Sequence, residues 1–290
     1  MALHFQTLRT RTLTSIVFII LMLGGLLINH WTFFLLFSII HFGCLYEYYK
    51  LVNKIEPEYK TISSIHMYSA MLAGWGFMMW MTNDAYTIAQ VKLSEIGWYL
   101  MLINLIALPV IEILLSKNFK LKTLFISIAG LFYISFGCGC MIDLRSEGMI
   151  FGSFFGIDLG LVLPLLVIAT IWINDTMAYI VGSLIGKTPL ASVSPKKTWE
   201  GTIGGVLLAV VTITICGYFL LKADIVQLII ISAITCITGI LGDLFESKLK
   251  RMAHVKDSGS FMPGHGGFLD RFDSLLFATT FVWVYVKLFL

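Results

Sequence analysis

Nine apolar runs, most close to the length of a membrane-crossing helix, divide this 290-residue chain. They lie at about 13–28, 31–48, 65–81, 96–115, 123–142, 159–185, 201–221, 225–242 and 274–290. A helix that crosses the hydrocarbon layer takes roughly 20 apolar residues. No soluble core of this chain length accommodates nine of them. Composition agrees, with 58% hydrophobic and 13% charged residues, where soluble domains hold about 45–50% and about 25%. A disordered chain, a coiled coil and a disulfide scaffold are excluded, and an ordinary soluble enzyme is disfavoured. The expected fold is an all-α polytopic membrane protein of about nine transmembrane helices in a lipid bilayer. It reads as one integral-membrane domain, with N-terminal spans over about 1–150 and the chemistry over about 151–290.

Charge placement sets the orientation. With the N-terminus in the cytoplasm, sixteen of the twenty Lys and Arg residues fall on the cytoplasmic side. They are Arg9 and Arg11; Lys50, Lys54 and Lys60; Lys117, Lys120 and Lys122; Lys187, Lys196 and Lys197; and Lys248, Lys250, Arg251, Lys256 and Arg271. Lys92, Arg145, Lys222 and Lys287 fall on the other side. This is the bias of the positive-inside rule, so the C-terminus is expected outside. Arg9 and Arg11 ahead of the first run imitate a signal peptide, but no small-residue cleavage site follows, and the run is read as a retained span. The five cysteines sit in apolar stretches, and Cys138-Gly-Cys140 is not a CxxC, so they read as packing residues.

Two polar, glycine-rich cytoplasmic segments, 186–200 and 243–273, are where chemistry is expected. Just before the first lies Asn174-Asp175-Thr176, inside an apolar run. A carboxylate at a membrane-helix centre costs at least about 2.5–3.5 kcal/mol. Asp175 therefore faces a polar cavity or reaches water at the cytoplasmic end. Asp175, Tyr179, Gly182 and Gly186 form one helical stripe, whose glycines admit a backbone or a ligand. Gly182 to Thr188 imitates a phosphate-binding P-loop but is one residue short and follows no strand, so that reading is rejected. Ser194-Pro195-Lys196-Lys197-Thr198 suits phosphate binding, or an ordinary basic loop anchored by Trp199.

The second segment interleaves both charges. Asp243, Glu246 and Lys250 share a helix face, and Asp270 and Asp273 share another. Gly264-His265-Gly266-Gly267 supplies backbone N–H groups for an anion nest just before the last helix. His265 fits a hydrogen bond that shapes this turn or a direct substrate contact. Carboxylates bind hard cations, Mg²⁺ bridges to phosphate oxygens, and Lys and Arg neutralise what remains. The set points to a metal–nucleotide site.

At these residues the chain resembles the phosphatidate cytidylyltransferases, or CDP-diglyceride synthetases. The resemblance rests on Ser247-x-Leu249-Lys250-Arg251-x4-Lys256-Asp257-x-Gly259 and Pro263-Gly264-His265-Gly266-Gly267-x-Leu269-Asp270-Arg271-x-Asp273. Met262 departs conservatively. Asp175-Thr176-x-Ala178-Tyr179, Gly186-Lys187 and Ser194 to Gly201 resemble a second family block, and Arg11 and Glu47-Tyr48 do so more loosely. The resemblance implies an enzyme of phospholipid biosynthesis that joins CTP to phosphatidic acid. Its site would lie on the cytoplasmic face of a bacterial-type inner membrane. It implies Asp243 and Asp270 as ligands of Mg²⁺, with a second cation left open, and Asp175, Asp257 and Asp273 as ligands or their supports. Lys250, Arg251 and Asp257 join the catalytic set. Lys196, Lys197, Ser194, Thr198, Asp175, Lys256, Gly264, His265, Gly266, Gly267 and Arg271 are expected to bind substrate. No nucleic acid is expected, and a homodimer stays open. The alternatives are a CTP-dependent kinase of a polyprenol-type lipid and, further off, an ion or solute transporter. A CDP-alcohol phosphotransferase is excluded, because its DxxDGxxAR pattern is absent.

Overall fold

The structure, a computed structural model, describes residues 5–115, 121–145, 159–261 and 266–290. Lys117 and Lys120 of the cytoplasmic set lie outside these residues. Among the described residues, nine long helical segments follow the apolar runs in order. They are α1 Phe5–Leu27, α2 His30–Ile55, α3 Ser64–Trp80, α4 Leu93–Leu115, α5 Leu121–Leu144 with a π-helical turn over Leu131–Ser135, α6 Val162–Ile185, α7 Trp199–Leu221, α8 Ile225–Met252 and α9 Leu269–Phe289. Seven of them, α2 and α4 to α9, are long and apolar enough to cross a membrane. α3 has 17 residues, and the described apolar stretch of α1, Ile16–Leu27, is shorter still. Along α4, Ile103, Ile106, Ile113 and Leu114 are 61–74% exposed, a surface that suits hydrocarbon and not water. The chain is an all-α polytopic membrane protein.

Polar residues set the breaks between spans. Asn29 separates α1 from α2 with a reciprocal cap: its Oδ1 accepts from the Thr32 N–H at 2.9 Å, and its own N–H donates to Thr32 Oγ1 at 3.1 Å. Ser63 caps α3 through the His66 N–H at 3.2 Å, and Asp224 caps α8 through the Gln227 N–H at 2.9 Å. Lys222 ends α7 in the left-handed region.

Two elements differ from expectation. α8 continues past 242 to Met252, because Leu244, Phe245 and Leu249 maintain helical spacing among the charges. The segment read as a polar loop forms a hairpin, β3 Pro189–Ala191 paired antiparallel with β4 Ser194–Thr198. A smaller hairpin closes at Ala89 and Gln90, both at positive φ, as a two-residue turn requires.

The chain divides into two compact units. One comprises Met1–Ile142 with Leu249–Phe272, the other Asp143–Lys248 with Asp273–Leu290. The segment 249–272, with its glycine-rich motif, thus belongs with the N-terminal spans. In that first unit α3 meets α4 at Gly76 and Gly97, where a Cβ on either would strike the other helix's backbone. Phe33, Phe37, Ile40, Leu45 and Met78 are buried there, and Val167, Ala209, Leu228 and Ile231 in the second unit. Four of the cysteines are buried as packing residues, and Cys216 is exposed.

Candidate active site

The second unit holds the tightest acidic group among the described residues. A Cβ at Gly242 would meet the Asp273 carbonyl and, at 3.0 Å, Phe277 Cβ, so the α8 backbone lies directly against that of α9 here. Asp243 follows that contact, and Glu246 lies one turn on along the same face. One ligand oxygen from each of Asp243, Glu246 and Asp273 lies within 4.8 Å of the others. Glu246 is fully buried and Asp273 7% exposed. Three carboxylates this close repel strongly unless cations intervene. Lys197 supplies one positive charge, with its Nζ on Asp243 Oδ2. All three donors are oxygen, and the set fits a hard divalent cation.

The hairpin and the α6–α7 pair position that lysine. Successive residues of a strand point to opposite faces. Lys197 in β4 reaches Asp243, whereas its neighbour Lys196 is exposed, so the two lysines do not act side by side. Thr198, expected on substrate, caps α7 by accepting the Gly201 N–H at 3.2 Å. Ser194 opens β4 opposite Ala191. Gly182 and Gly186 admit Thr198 and Gly201 of the next helix, so these glycines serve backbone approach. Tyr179, placed on the same stripe, is 77% exposed. Asp175 is exposed beside buried Asn174, whose Nδ2 donates to it at 3.4 Å. Asn174 Oδ1 is buried without a hydrogen-bond partner among the described residues.

Glu200 closes the hairpin base. It accepts the Lys187 N–H at 3.1 Å, the Thr188 N–H at 3.2 Å and the Thr188 hydroxyl at 2.9 Å. Glu200→Ala is expected to leave the spans folded and to loosen the hairpin. Limited proteolysis at Lys196 and Lys197 should accelerate by roughly tenfold, the equivalent of one lost charge-assisted hydrogen bond.

The first unit holds the glycine-rich motif, organised around Asp270. Asp270 Oδ1 accepts from Lys250 Nζ at 2.7 Å. Its Oδ2 accepts the Gly267 N–H at 2.8 Å and the Ser258 N–H at 2.9 Å, with Ser258 Oγ at 3.0 Å. Gly266 has φ +87°, and a Cβ there would crowd Asp270 Oδ2 at 2.6 Å. The expected anion nest is thus partly filled from within, since the Gly267 amide holds Asp270. Asp270 and Asp273, expected on one face, belong to different groups, and Lys250 pairs with Asp270 while Asp243 and Glu246 join Asp273. Arg251, Lys256, Asp257 and Arg271 are exposed. Gly264 and His265 lie outside the described residues. Sequence reasoning missed Ser258 and gave Glu246 no role beyond its helix face. A serine at the unspecified position between Asp257 and Gly259 carries no chemical signal, whereas a glutamate in the last turns of an apolar helix did.

A family model described as the cytidylyltransferase family matches residues 9–289. The phosphatidate cytidylyltransferase of Staphylococcus epidermidis is 31% identical over 281 residues, 93% of this chain and 95% of that protein. That of Bacillus subtilis is 47% identical over 124 residues, 41% of this chain and 45% of the relative. The chloroplastic phosphatidate cytidylyltransferase 4 of Arabidopsis thaliana is 36% identical over 163 residues, 54% of this chain and 42% of the relative. The match thus spans less than half the length of the Bacillus and Arabidopsis proteins.

Proposed function

The chain belongs to the cytidylyltransferase family, and on that premise we propose that it converts CTP and phosphatidic acid into CDP-diacylglycerol and pyrophosphate. The single observation that carries the reading is the clustering of Asp243, Glu246 and Asp273 beneath Lys197. Phosphatidic acid carries an ionised phosphate at neutral pH, so the attack needs no general base. One of its oxygens bonds to the α-phosphorus of CTP while the bond from that phosphorus to the β-bridging oxygen breaks, and pyrophosphate leaves with the electron pair. The barrier is largely the repulsion between two polyanions. Mg²⁺, when bound, would neutralise phosphate charge and favour departure of pyrophosphate.

The chain's own groups have separable roles in this reading. Asp243, with Glu246 and Asp273, would hold the cation, and Asp270 stays a candidate ligand on the sequence resemblance alone. Lys197 and Lys250, each on one of those aspartates, are ammonium groups that transfer to phosphate oxygens when substrate arrives. The exposed Lys196, Arg251, Lys256 and Arg271 draw polyanions to the surface. The basic bias supports a site on the cytoplasmic side of a bacterial-type inner membrane, which lipid reaches from the bilayer and CTP from the cytosol.

The test uses purified full chain in mixed micelles with α- and γ-labelled CTP and phosphatidic acid. With Mg²⁺, α-label is expected in CDP-diacylglycerol and γ-label in pyrophosphate, in equal amounts. γ-Label in a lipid monophosphate would replace the reading with a lipid kinase. Full activity in excess chelator would remove the cation from it.

A further inference from the structure

Glu47 lies on the buried face of α2 and is 4% exposed. A buried carboxylate is costly unless its oxygens are satisfied. Its Oε2 accepts two hydrogen bonds, from the Ser258 hydroxyl at 2.7 Å and from the Leu269 N–H at 2.9 Å. The two donors flank the glycine-rich motif, more than 200 residues later in the chain. The motif is shaped to receive this carboxylate, because a Cβ on Gly259 or Gly267 would land on it. One turn earlier on α2, Gly43 makes the matching accommodation for the Phe268 ring, 2.5 Å from where a Cβ would stand.

Ser258 links Glu47 to Asp270. Its Oγ lies 2.7 Å from Glu47 Oε2 and 3.0 Å from Asp270 Oδ2, and it accepts the Asp270 N–H at 3.3 Å. A hydroxyl has one proton to give. The shorter distance assigns it to Glu47, which leaves Asp270 Oδ2 to the Ser258 and Gly267 amides. Glu47 therefore fixes Ser258, whose own amide holds Asp270 Oδ2, through its side chain, and Leu269, the residue that precedes Asp270 in the chain, through its backbone.

We propose that Glu47 is a positioning residue for the reaction, orienting Asp270 through Ser258 and the Leu269 amide. The proposal rests on the reading of Asp270 as part of the catalytic machinery. Partners that orient ligand groups commonly matter by 10–100-fold in activity.

Both hydrogen bonds fall on one oxygen, so a glutamine carbonyl can replace it. In purified full-length protein, Glu47→Gln is expected to stay within about threefold of wild-type turnover, while Glu47→Ala loses roughly 30–100-fold with little change in the KM for CTP. Ser258→Ala should lose a similar factor, and the double variant no more than the larger single loss, since the two residues act in series. Ser135→Ala, which removes the buried His41–Ser135 contact at 2.9 Å in the same unit, supplies a stability control and should keep its turnover. If Glu47→Ala cannot be recovered folded, Ser258→Ala and Glu47→Gln still decide the matter. Wild-type turnover in Glu47→Ala or Ser258→Ala would overturn the proposal. So would a glutamine variant as slow as the alanine, losses that multiply in the double variant, or an equal loss in Ser135→Ala. Asp270→Asn is run in parallel. Full turnover there refutes the catalytic reading of Asp270, whereas an inactive Asp270→Asn beside an active Glu47→Ala refutes only the role of Glu47.

Discussion

Asp243→Asn is expected to lower CDP-diacylglycerol formation at saturating Mg²⁺ by roughly 10²–10³-fold, the scale of losing one preorganised electrostatic contact in a catalytic site. Asparagine keeps the shape and removes the charge. The change strips one anionic oxygen donor from the group with Glu246 and Asp273, and it deprives Lys197 of its ion-pair partner. Because the group is partly buried, water replaces little of what is lost. The Mg²⁺ concentration for half-maximal rate should rise as well, which separates loss of a ligand from loss of a lysine anchor. Lys197→Ala, by contrast, should slow turnover with little change in that concentration. An Asp243→Asn protein with near wild-type turnover at saturating Mg²⁺ would remove Asp243 from the ligand set.

Gly205→Leu is expected to prevent recovery of folded protein from membranes. A Cβ at Gly205 would stand 2.8 Å from the Asn174 carbonyl, 2.8 Å from Ala178 Cβ and 2.9 Å from the Ala178 nitrogen. Two of these are backbone atoms that no rotamer change relieves. Gly201 repeats the contact one turn earlier, with a Cβ meeting the Ala178 carbonyl at 2.7 Å and the Gly182 Cα at 2.8 Å. Close approach through small residues is how membrane helices gain packing energy when lipid offers no hydrophobic drive. Gly205→Ala should cost about 1–3 kcal/mol as simple overpacking, read as a lowered melting temperature in detergent. The leucine must also force the helices apart and displace Asn174. Normal yield and melting of Gly205→Leu would show that α6 and α7 do not depend on this seam.

Much of this was legible in the residues themselves. The apolar runs foretold where each described helix lies, because a span must be helical and apolar over roughly the thickness of the hydrocarbon layer. The interleaved charges of 243–273 pointed to the segment in which Asp243, Glu246 and Asp273 come together. What escaped was pairing. Asp270 and Asp273 stand three residues apart, yet one is held by Lys250, Ser258 and Gly267 and the other joins Asp243 and Glu246. Helical spacing says which side chains are neighbours on a cylinder, not what surrounds the cylinder. Lys196 and Lys197 look like one cationic pair until a strand sends them to opposite sides. Gly267 looks like part of a phosphate nest until its amide is found on a side chain of the same protein.

The unbroken course of α8 from Ile225 to Met252 has a geometric consequence. Each residue of such a rod adds about 1.5 Å of height and about 100° of rotation. Asp243 and Glu246 therefore ride at a depth and bearing dictated by how many residues precede them in the hydrocarbon. Adding or deleting one residue above Gly242 would swing both carboxylates away from Asp273 and shift them relative to the lipid headgroups. The helix works as a ruler that sets where those two carboxylates stand.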